Sequence, residues 1–179
     1  MNPSMYIVTE GELDKSVLEA VLPLHWQSEI RFAAAGGLSG AYGLASTLLS
    51  KRQKPVILLV DADSTNPSVV QERQDFADSW IKRASASGTP YLVVVAVPEI
   101  EAIVLNDHDI LEQYASRAFT PFEWQAAQRD PKGFTHEIFK DQNQMLQLLA
   151  IHREKYASHP IVRKITDFVS QYKLADAAD

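Results

Sequence analysis

The 179-residue sequence contains no cysteine. That absence excludes disulfides, thiolate catalysis and zinc or iron–sulfur sites with cysteine ligands, so any metal would have oxygen or imidazole ligands. No apolar run approaches the roughly 18 residues that a membrane-spanning helix needs. Residues 1–5 also lack the basic and apolar regions of a signal peptide. We therefore expect a cytoplasmic protein with no membrane partner.

Positive charge is also scarce. Seventeen Lys and Arg stand against 23 Asp and Glu, which gives a net charge of −6 and argues against a protein that wraps nucleic acid through overall charge. The acidic residues are distributed unevenly along the chain, because residues 1–116 hold 15 Asp and Glu against 8 Lys and Arg. The 46% hydrophobic and 22% charged fractions are those of a folded soluble chain.

Short apolar segments alternate with amphipathic ones in the first two thirds of the chain. Four of them read as strands, namely residues 5–9, 30–35, 55–60 and 91–97. Asn66 followed by Pro67 is a typical helix start after the third. Strands separated by helices predict a three-layer, Rossmann-like α/β fold with a mostly parallel four-stranded sheet and helices on both faces.

From about residue 118 the pattern is helical only. Thr120, Pro121 and Glu123 form a capping-box sequence, and residues 138–156 and 161–172 read as two further helices. The turn at residues 130–133 is the one plausible hinge. We therefore predict an α/β domain over residues 1–116 and a helical extension over residues 117–179 that packs on it.

Acidic residues follow the predicted strands at their carboxyl ends, where parallel sheets place functional groups. Several carboxylates at one edge repel each other unless a cation lies among them, and carboxylate oxygens suit Mg²⁺ or Mn²⁺. The sequence therefore predicts a metal site near the ends of the first, third and fourth strands. Its candidate ligands are Glu10, Asp61 and Asp63, and Asp14 can point into the same crevice as Glu10.

Each acid also has a structural interpretation. Asp or Glu after a strand is often a helix cap or a partner of the helix dipole. The joint set Glu10, Asp61 and Asp63 favours a metal, whereas Glu99 and Glu101 divide evenly between the two interpretations. For the cluster at residues 107–109, a helix junction is the favoured interpretation.

These residues resemble a known family. Glu10-Gly11 after the first strand, a Gly-Gly turn at residues 36–37 and Asp61-x-Asp63 after a later strand are similar to the Toprim (topoisomerase/primase) domain, over about residues 4–112. Thr9-Glu10-Gly11-Glu12-x-Asp14 is similar to the Toprim part of overcoming-lysogenization-defect nucleases and to small stand-alone bacterial Toprim-like proteins. The segment Pro98-x-x-Glu101-Ala102 is similar to one found in those stand-alone proteins.

The resemblance implies a Mg²⁺- or Mn²⁺-dependent enzyme that acts on nucleic-acid phosphodiesters, a nuclease with DNA preferred to RNA. It implies that Glu10 is a metal ligand or the general acid/base, that Asp61 and Asp63 hold the catalytic ion, and that Asp14 and Glu101 support a second. Five basic residues are candidates for phosphate contacts, with solvated surface charge as the alternative. They are Lys15, Lys132, Lys140, Arg163 and Lys164.

Two other functions stay open. A non-catalytic Toprim-fold module could act through a protein partner in a defence or toxin system, because no lysine lies in the acidic loops. Asp61-x-Asp63-x-Thr65 also fits the nucleophile motif of haloacid-dehalogenase phosphatases. That family carries the motif on its first strand and needs a later acidic pair, so it ranks lower.

Overall fold

The computed structural model describes residues 4–85 and 88–176, with side chains up to residue 172. Residues 1–3, on which the predicted lack of a signal peptide partly depends, and the last residues of the predicted extension lie outside that range. Among the described residues, no helix combines the length and apolar character that crossing a bilayer requires.

Four parallel strands form one sheet. Their order is β2-β1-β3-β4, and every neighbouring pair is parallel. This confirms the predicted fold class and places the strands within one residue of the predicted bounds. The strands are β1 (Met5–Thr9), β2 (Ile30–Ala34), β3 (Val56–Asp61) and β4 (Tyr91–Ala96).

Helices cover both faces of the sheet. The α-helices are α1 (Glu12–Val21), α2 (Leu38–Arg52), α3 (Pro67–Ala84), α4 (His108–Ala115), α5 (Pro121–Arg129), α6 (Pro131–Ile138), α7 (Gln142–Ile151), α8 (Arg153–Tyr156) and α9 (Pro160–Asp176). Two 3₁₀ helices span Leu24–Ser28 and Ile100–Asn106.

The side chains of the strands alternate between two cores, as the period of two requires. Ile57 and Leu59 of β3 are buried under α1 and the later helices. Leu58 and Val60, which point to the other face, are buried under α2 and α3. The predicted three layers are therefore present, and the central strand β3 is buried on both faces.

Local capping confirms two sequence interpretations. The Asn66 side chain accepts a hydrogen bond from Ser68 N at the start of α3, with Pro67 at the first helical position. Asp107 accepts one from Ile110 N at the start of α4, so the cluster at residues 107–109 is a helix junction.

One prediction for the extension was wrong, and the hinge at residues 130–133 stays a prediction. Residue 130 links α5 to α6, where the Asp130 carboxylate accepts a 2.8 Å hydrogen bond from Gly133 N and Pro131 fits the first helical position. The single helix predicted over residues 138–156 is broken into α7 and α8. Asp141 caps a new start at α7 by accepting from Gln144 N.

The extension shares a core with the sheet. Phe134, Met145, Tyr156 and Ile165 belong to the same buried cluster as β1 and α1. Arg153 also donates 2.7 Å and 3.2 Å hydrogen bonds to the Ala20 and Glu19 carbonyls at the end of α1. Since those carbonyls have no partner within the helix, the extension completes α1 as well as the core.

The start of α9 depends on a neutral histidine. His159 Nδ1 accepts a 3.3 Å hydrogen bond from Ile161 N, and burial lowers the pKa of His159 to about 4 from 6.5. Protonation would remove the acceptor and place positive charge at a helix N-terminus. The stabilising contribution is therefore complete above the unfolded-state pKa and is lost as the pH falls toward the folded-state pKa.

We predict that the free-energy difference of unfolding between the wild type and His159→Asn changes with pH. Asn keeps a capping acceptor but does not titrate. Between about pH 7 and about pH 5, the wild type should lose about 1 kcal/mol relative to the variant, measured by urea unfolding at each pH. His25→Asn, at an exposed histidine elsewhere, is the matched control. An unchanged difference for His159→Asn would contradict the neutral cap.

Candidate metal centre

The carboxyl ends of the strands are joined by backbone hydrogen bonds. Gly37 N donates a 2.8 Å bond to the Glu10 carbonyl, and Asp63 N donates a 2.9 Å bond to the Pro98 carbonyl. Gly37 has a φ of 125°, a conformation that favours glycine. The loops after the four strands are therefore held together at one edge of the sheet.

Glu10 and Asp61 lie next to each other at that edge because β1 and β3 are neighbours. Glu10 Oε1 accepts a 3.0 Å hydrogen bond from Asp61 N. Asp61 Oδ1 accepts a 3.1 Å hydrogen bond from Ile100 N. Backbone amides from two loops thus hold both carboxylates in place.

Asp14 and Glu101 approach the same edge from two helices. Asp14 Oδ2 accepts a 2.8 Å hydrogen bond from Gly11 N at the start of α1. Glu101 lies in the second 3₁₀ helix and is only 5% exposed. A charged side chain is rarely this buried without a function or a partner.

Asp61 is the electrostatic centre of the group. Burial raises the pKa of its carboxyl to about 8. Negative charge on Asp14, Glu101, Glu10 and Asp63, in that order, adds to the rise. The structure therefore brings all five predicted acids within electrostatic range of one another, whereas binding of a metal by them stays a prediction.

The neighbouring carboxyls show the same cost of burial. Burial raises the pKa of Glu10, of Asp14 and of Glu101 above their ordinary values. Asp63 differs, because its side chain is 72% exposed and its backbone has a φ of 54°. It lies at the mouth of the acidic group.

A lysine from the extension lies within electrostatic range of two of these acids. The Lys132 ammonium counteracts part of the rise in the pKa of Asp14 and of Glu101. Its position is fixed by α6, since Lys132 N donates a 2.7 Å hydrogen bond to Glu99 Oε1. Glu99 therefore anchors the extension, and the cation missing from the acidic loops comes from the extension.

Arg73 is a second cation at the site, and it was not among the predicted phosphate contacts. Its Nη2 lies 3.6 Å from Asp63 Oδ2, and its charge lowers the pKa of Glu10 against the effect of burial. It also lies beside the hydroxyl of Tyr42, although no full hydrogen bond forms. The signal for it in the sequence is a lone charge in the apolar stripe of α3.

The other predicted phosphate contacts lie elsewhere. Lys15 pairs with Glu12 at 3.2 Å, and Lys140 lies on the rim of a cavity next to Glu101. Arg163 lines a groove with Val21 at the far end of α1. Lys164 is exposed beside Arg163 on α9. The structure thus brings Lys132, and neither Arg163 nor Lys164, to the acidic group.

The donor set suits a hard divalent cation, because all five candidate ligands offer carboxylate oxygens. In the described part of the chain, no three His, Asp or Glu side chains are already spaced as ligands of one ion. One carboxylate oxygen of each of Glu10, Asp14 and Asp61 accepts a hydrogen bond from a backbone amide. An ion among these carboxylates would relieve the repulsion between them.

The chain is similar in structure to the C-terminal region of the OLD protein of Xanthomonas campestris pv. campestris. The match has a TM-score of 0.56 and 15% identity over 99% of this chain and 98% of the other. The corresponding region of the Burkholderia pseudomallei OLD protein matches with a TM-score of 0.56 and 12% identity, over 96% and 99%. The sequence matches no family model and no curated protein.

These likenesses concern the fold. They extend over nearly the full length of each chain, including the helical extension. They confirm the Toprim-like architecture that the motifs predicted.

We predict that Asp61→Asn stabilises the metal-free protein by about 1–2 kcal/mol at neutral pH. The folded-state pKa of Asp61 is raised to about 8, so the charged form is unfavourable and the penalty grows as the pH rises. Asn keeps an acceptor for Ile100 N. Urea unfolding in the presence of a chelator measures the change.

The matched control is Asp63→Asn, because Asp63 is exposed and Asn tolerates its positive φ. It should change stability by less than about 0.5 kcal/mol. Equal effects of the two variants, or destabilisation by Asp61→Asn, would contradict the electrostatic account.

Proposed function

We propose that the protein is a Mg²⁺- or Mn²⁺-dependent enzyme that cleaves nucleic-acid phosphodiester bonds, with DNA preferred to RNA. The observation that carries the proposal is the group of buried carboxylates around Asp61, which backbone amides hold together at the edge of a Toprim-like sheet. Its electrostatic cost is what a bound cation would remove.

Glu10, Asp61 and Asp63 would hold the catalytic ion, and Asp14 and Glu101 would support a second. When bound, such an ion acts as a Lewis acid that stabilises negative charge on phosphoryl oxygens. The backbone amides of Asp61 and Ile100 restrict the rotation of the Glu10 and Asp61 carboxylates, so the ligands are positioned before substrate arrives.

Glu10, a carboxyl group with a raised pKa, is the candidate for proton transfer. Burial raises the pKa of Glu10, which brings its proton affinity nearer to that needed for a general base at neutral pH. Glu10 can accept a proton from the attacking water or serve as a metal ligand, and the two roles stay open.

The two cations bind the negatively charged substrate. Lys132 approaches from α6 and Arg73 from α3, so they flank the acids on different sides. A phosphodiester at the acidic group would meet the Lys132 ammonium and the Arg73 guanidinium. Arg73, which pairs with Asp63, would supply charge next to the reacting phosphate. Lys132, on the side of Asp14 and Glu101, would contact a neighbouring phosphate of the same strand.

We predict that the purified protein cleaves DNA in the presence of Mg²⁺ or Mn²⁺ and that a chelator abolishes cleavage. Asp61→Asn and Glu10→Gln should each lower kcat by about a hundredfold or more, because each removes a charged group that contacts the ion or the proton. Single- and double-stranded DNA and RNA are compared as substrates.

The matched control is Asp109→Asn, an exposed carboxylate in the first turn of α4, which should leave cleavage unchanged. A divalent ion should also raise the melting temperature of the wild type but not that of Asp61→Asn. Unaltered cleavage by Asp61→Asn would contradict the assignment of Asp61 as a ligand of the catalytic ion. Release of phosphate from a generic monoester, without cleavage of nucleic acid, would indicate a phosphatase.

One observation favours a second candidate, a non-catalytic module. Arg73 lies next to Asp63, and no set of three ligands is already assembled within the described residues. A protein of this kind would act through a protein partner. The absence of any divalent effect on the melting temperature, together with a stable protein complex, would support it.

We predict different effects for the two cations. Arg73→Gln should mainly lower kcat, by about tenfold or more, because its charge lies beside a ligand of the catalytic ion and so beside the reacting phosphate. Lys132→Gln should mainly raise KM and reduce the salt dependence of binding by about one phosphate contact. Arg163→Gln, at the far end of α1, should change neither. Equal effects of Arg73→Gln and Arg163→Gln would contradict the role of Arg73.

A further inference from the structure

A cavity of about 150 Å³ opens beside the acidic group. It lies between α1, the second 3₁₀ helix, α6 and α7, where the extension meets the sheet. Glu101 belongs to both the acidic group and the cavity, and Leu13, which precedes Asp14 in α1, forms part of the wall. The cavity therefore lies next to the position of a reacting phosphodiester.

The cavity has an apolar floor and a polar rim. Phe139 and Met145 are buried at 5% and 3% exposure, and with Leu13 they supply flat and flexible apolar surface. The exposed rim consists of His136, Lys140, Asp141 and Gln142. An apolar pocket with a few convergent polar groups is the usual form of a small-molecule site.

The volume sets the size of the occupant. An engineered apolar cavity of about 150 Å³ in another protein binds benzene, so this one can take a single six-membered ring. A pyrimidine base has such a ring, and its polar edge requires hydrogen-bonding partners. The Gln142 amide and the Lys140 ammonium, with Asp141 and His136 beside them, are donors and acceptors of the required kinds.

We propose that this cavity binds the base of the nucleotide next to the scissile phosphodiester, with a pyrimidine preferred. The proposal rests on the proposed function, because it places the reacting phosphate at the acidic group. The ring would lie against Phe139 and Met145, and Lys140 would contact the phosphate that follows. A base can enter only when it is unstacked, so single strands and frayed ends are the preferred substrates.

The first experiment measures binding without turnover. Cytidine 5′-monophosphate, adenosine 5′-monophosphate and ribose 5-phosphate are titrated against the protein with Mg²⁺ by calorimetry. The pyrimidine nucleotide should bind about tenfold or more tightly than ribose 5-phosphate, with the purine between them. Equal affinity of all three would overturn the base pocket.

Variants test the location. Leu13→Phe fills the cavity and should abolish the advantage of the pyrimidine nucleotide, and Gln142→Trp, at an exposed rim position, should do the same without a change in the core. Leu24→Phe is the matched control, because Leu24 is 62% exposed and lies beyond the far end of α1. Retention of the advantage in both cavity variants would place the base elsewhere.

The second experiment uses oligonucleotides with one abasic position at a time. Only the abasic position next to the cleaved bond should raise KM, by about tenfold, and Leu13→Phe should make the wild-type pattern flat. If nucleic acid is cleaved but no abasic position raises KM, the base-binding role of the cavity is contradicted and the proposed nuclease function is retained. If nucleotides bind as expected but no nucleic acid is cleaved, the proposed function is contradicted and base binding by the cavity is retained.

Discussion

The repulsion between carboxylates at one edge of the sheet is the constraint on which the site depends. The order β2-β1-β3-β4 places the ends of β1 and β3 side by side, so Glu10 and Asp61 lie next to each other. Hydrogen bonds from Asp61 N and Ile100 N hold the two carboxyls in place, and the raised pKa of each shows that its charge remains unfavourable. An arrangement that costs stability and persists is typical of a functional site.

Much of this arrangement could be predicted because it depends on local patterns. Residues 56–60 are uniformly apolar, as a strand buried on both faces must be, and the structure has β3 there. Parallel strands present their carboxyl ends at one edge, which is why the sequence predicts that Glu10 and Asp61 meet. The metal itself stays a prediction, because convergence alone does not show that an ion binds.

The remaining features depend on contacts that are distant in sequence. The Asp141 side chain caps the start of α7. The apolar pattern across residues 138–156 continues through that position, so the sequence predicted one helix where the structure has two. Lys132 approaches the acids only because α6 docks through Glu99. Arg73 is visible in the sequence as the one charged residue in the apolar stripe of α3. Its partner Asp63 lies in the loop after β3, and no sequence pattern predicts that the two side chains pair.

The hydrogen bonds from Arg153 to the C-terminal end of α1 have a mechanical consequence. This helix of ten residues is a rod of about 15 Å, with Asp14 at one end and the carbonyls bound by Arg153 at the other. A rigid helix transmits displacement along its axis. A shift of the extension relative to the sheet would therefore either break the hydrogen bonds of Arg153 or displace α1, which carries Asp14.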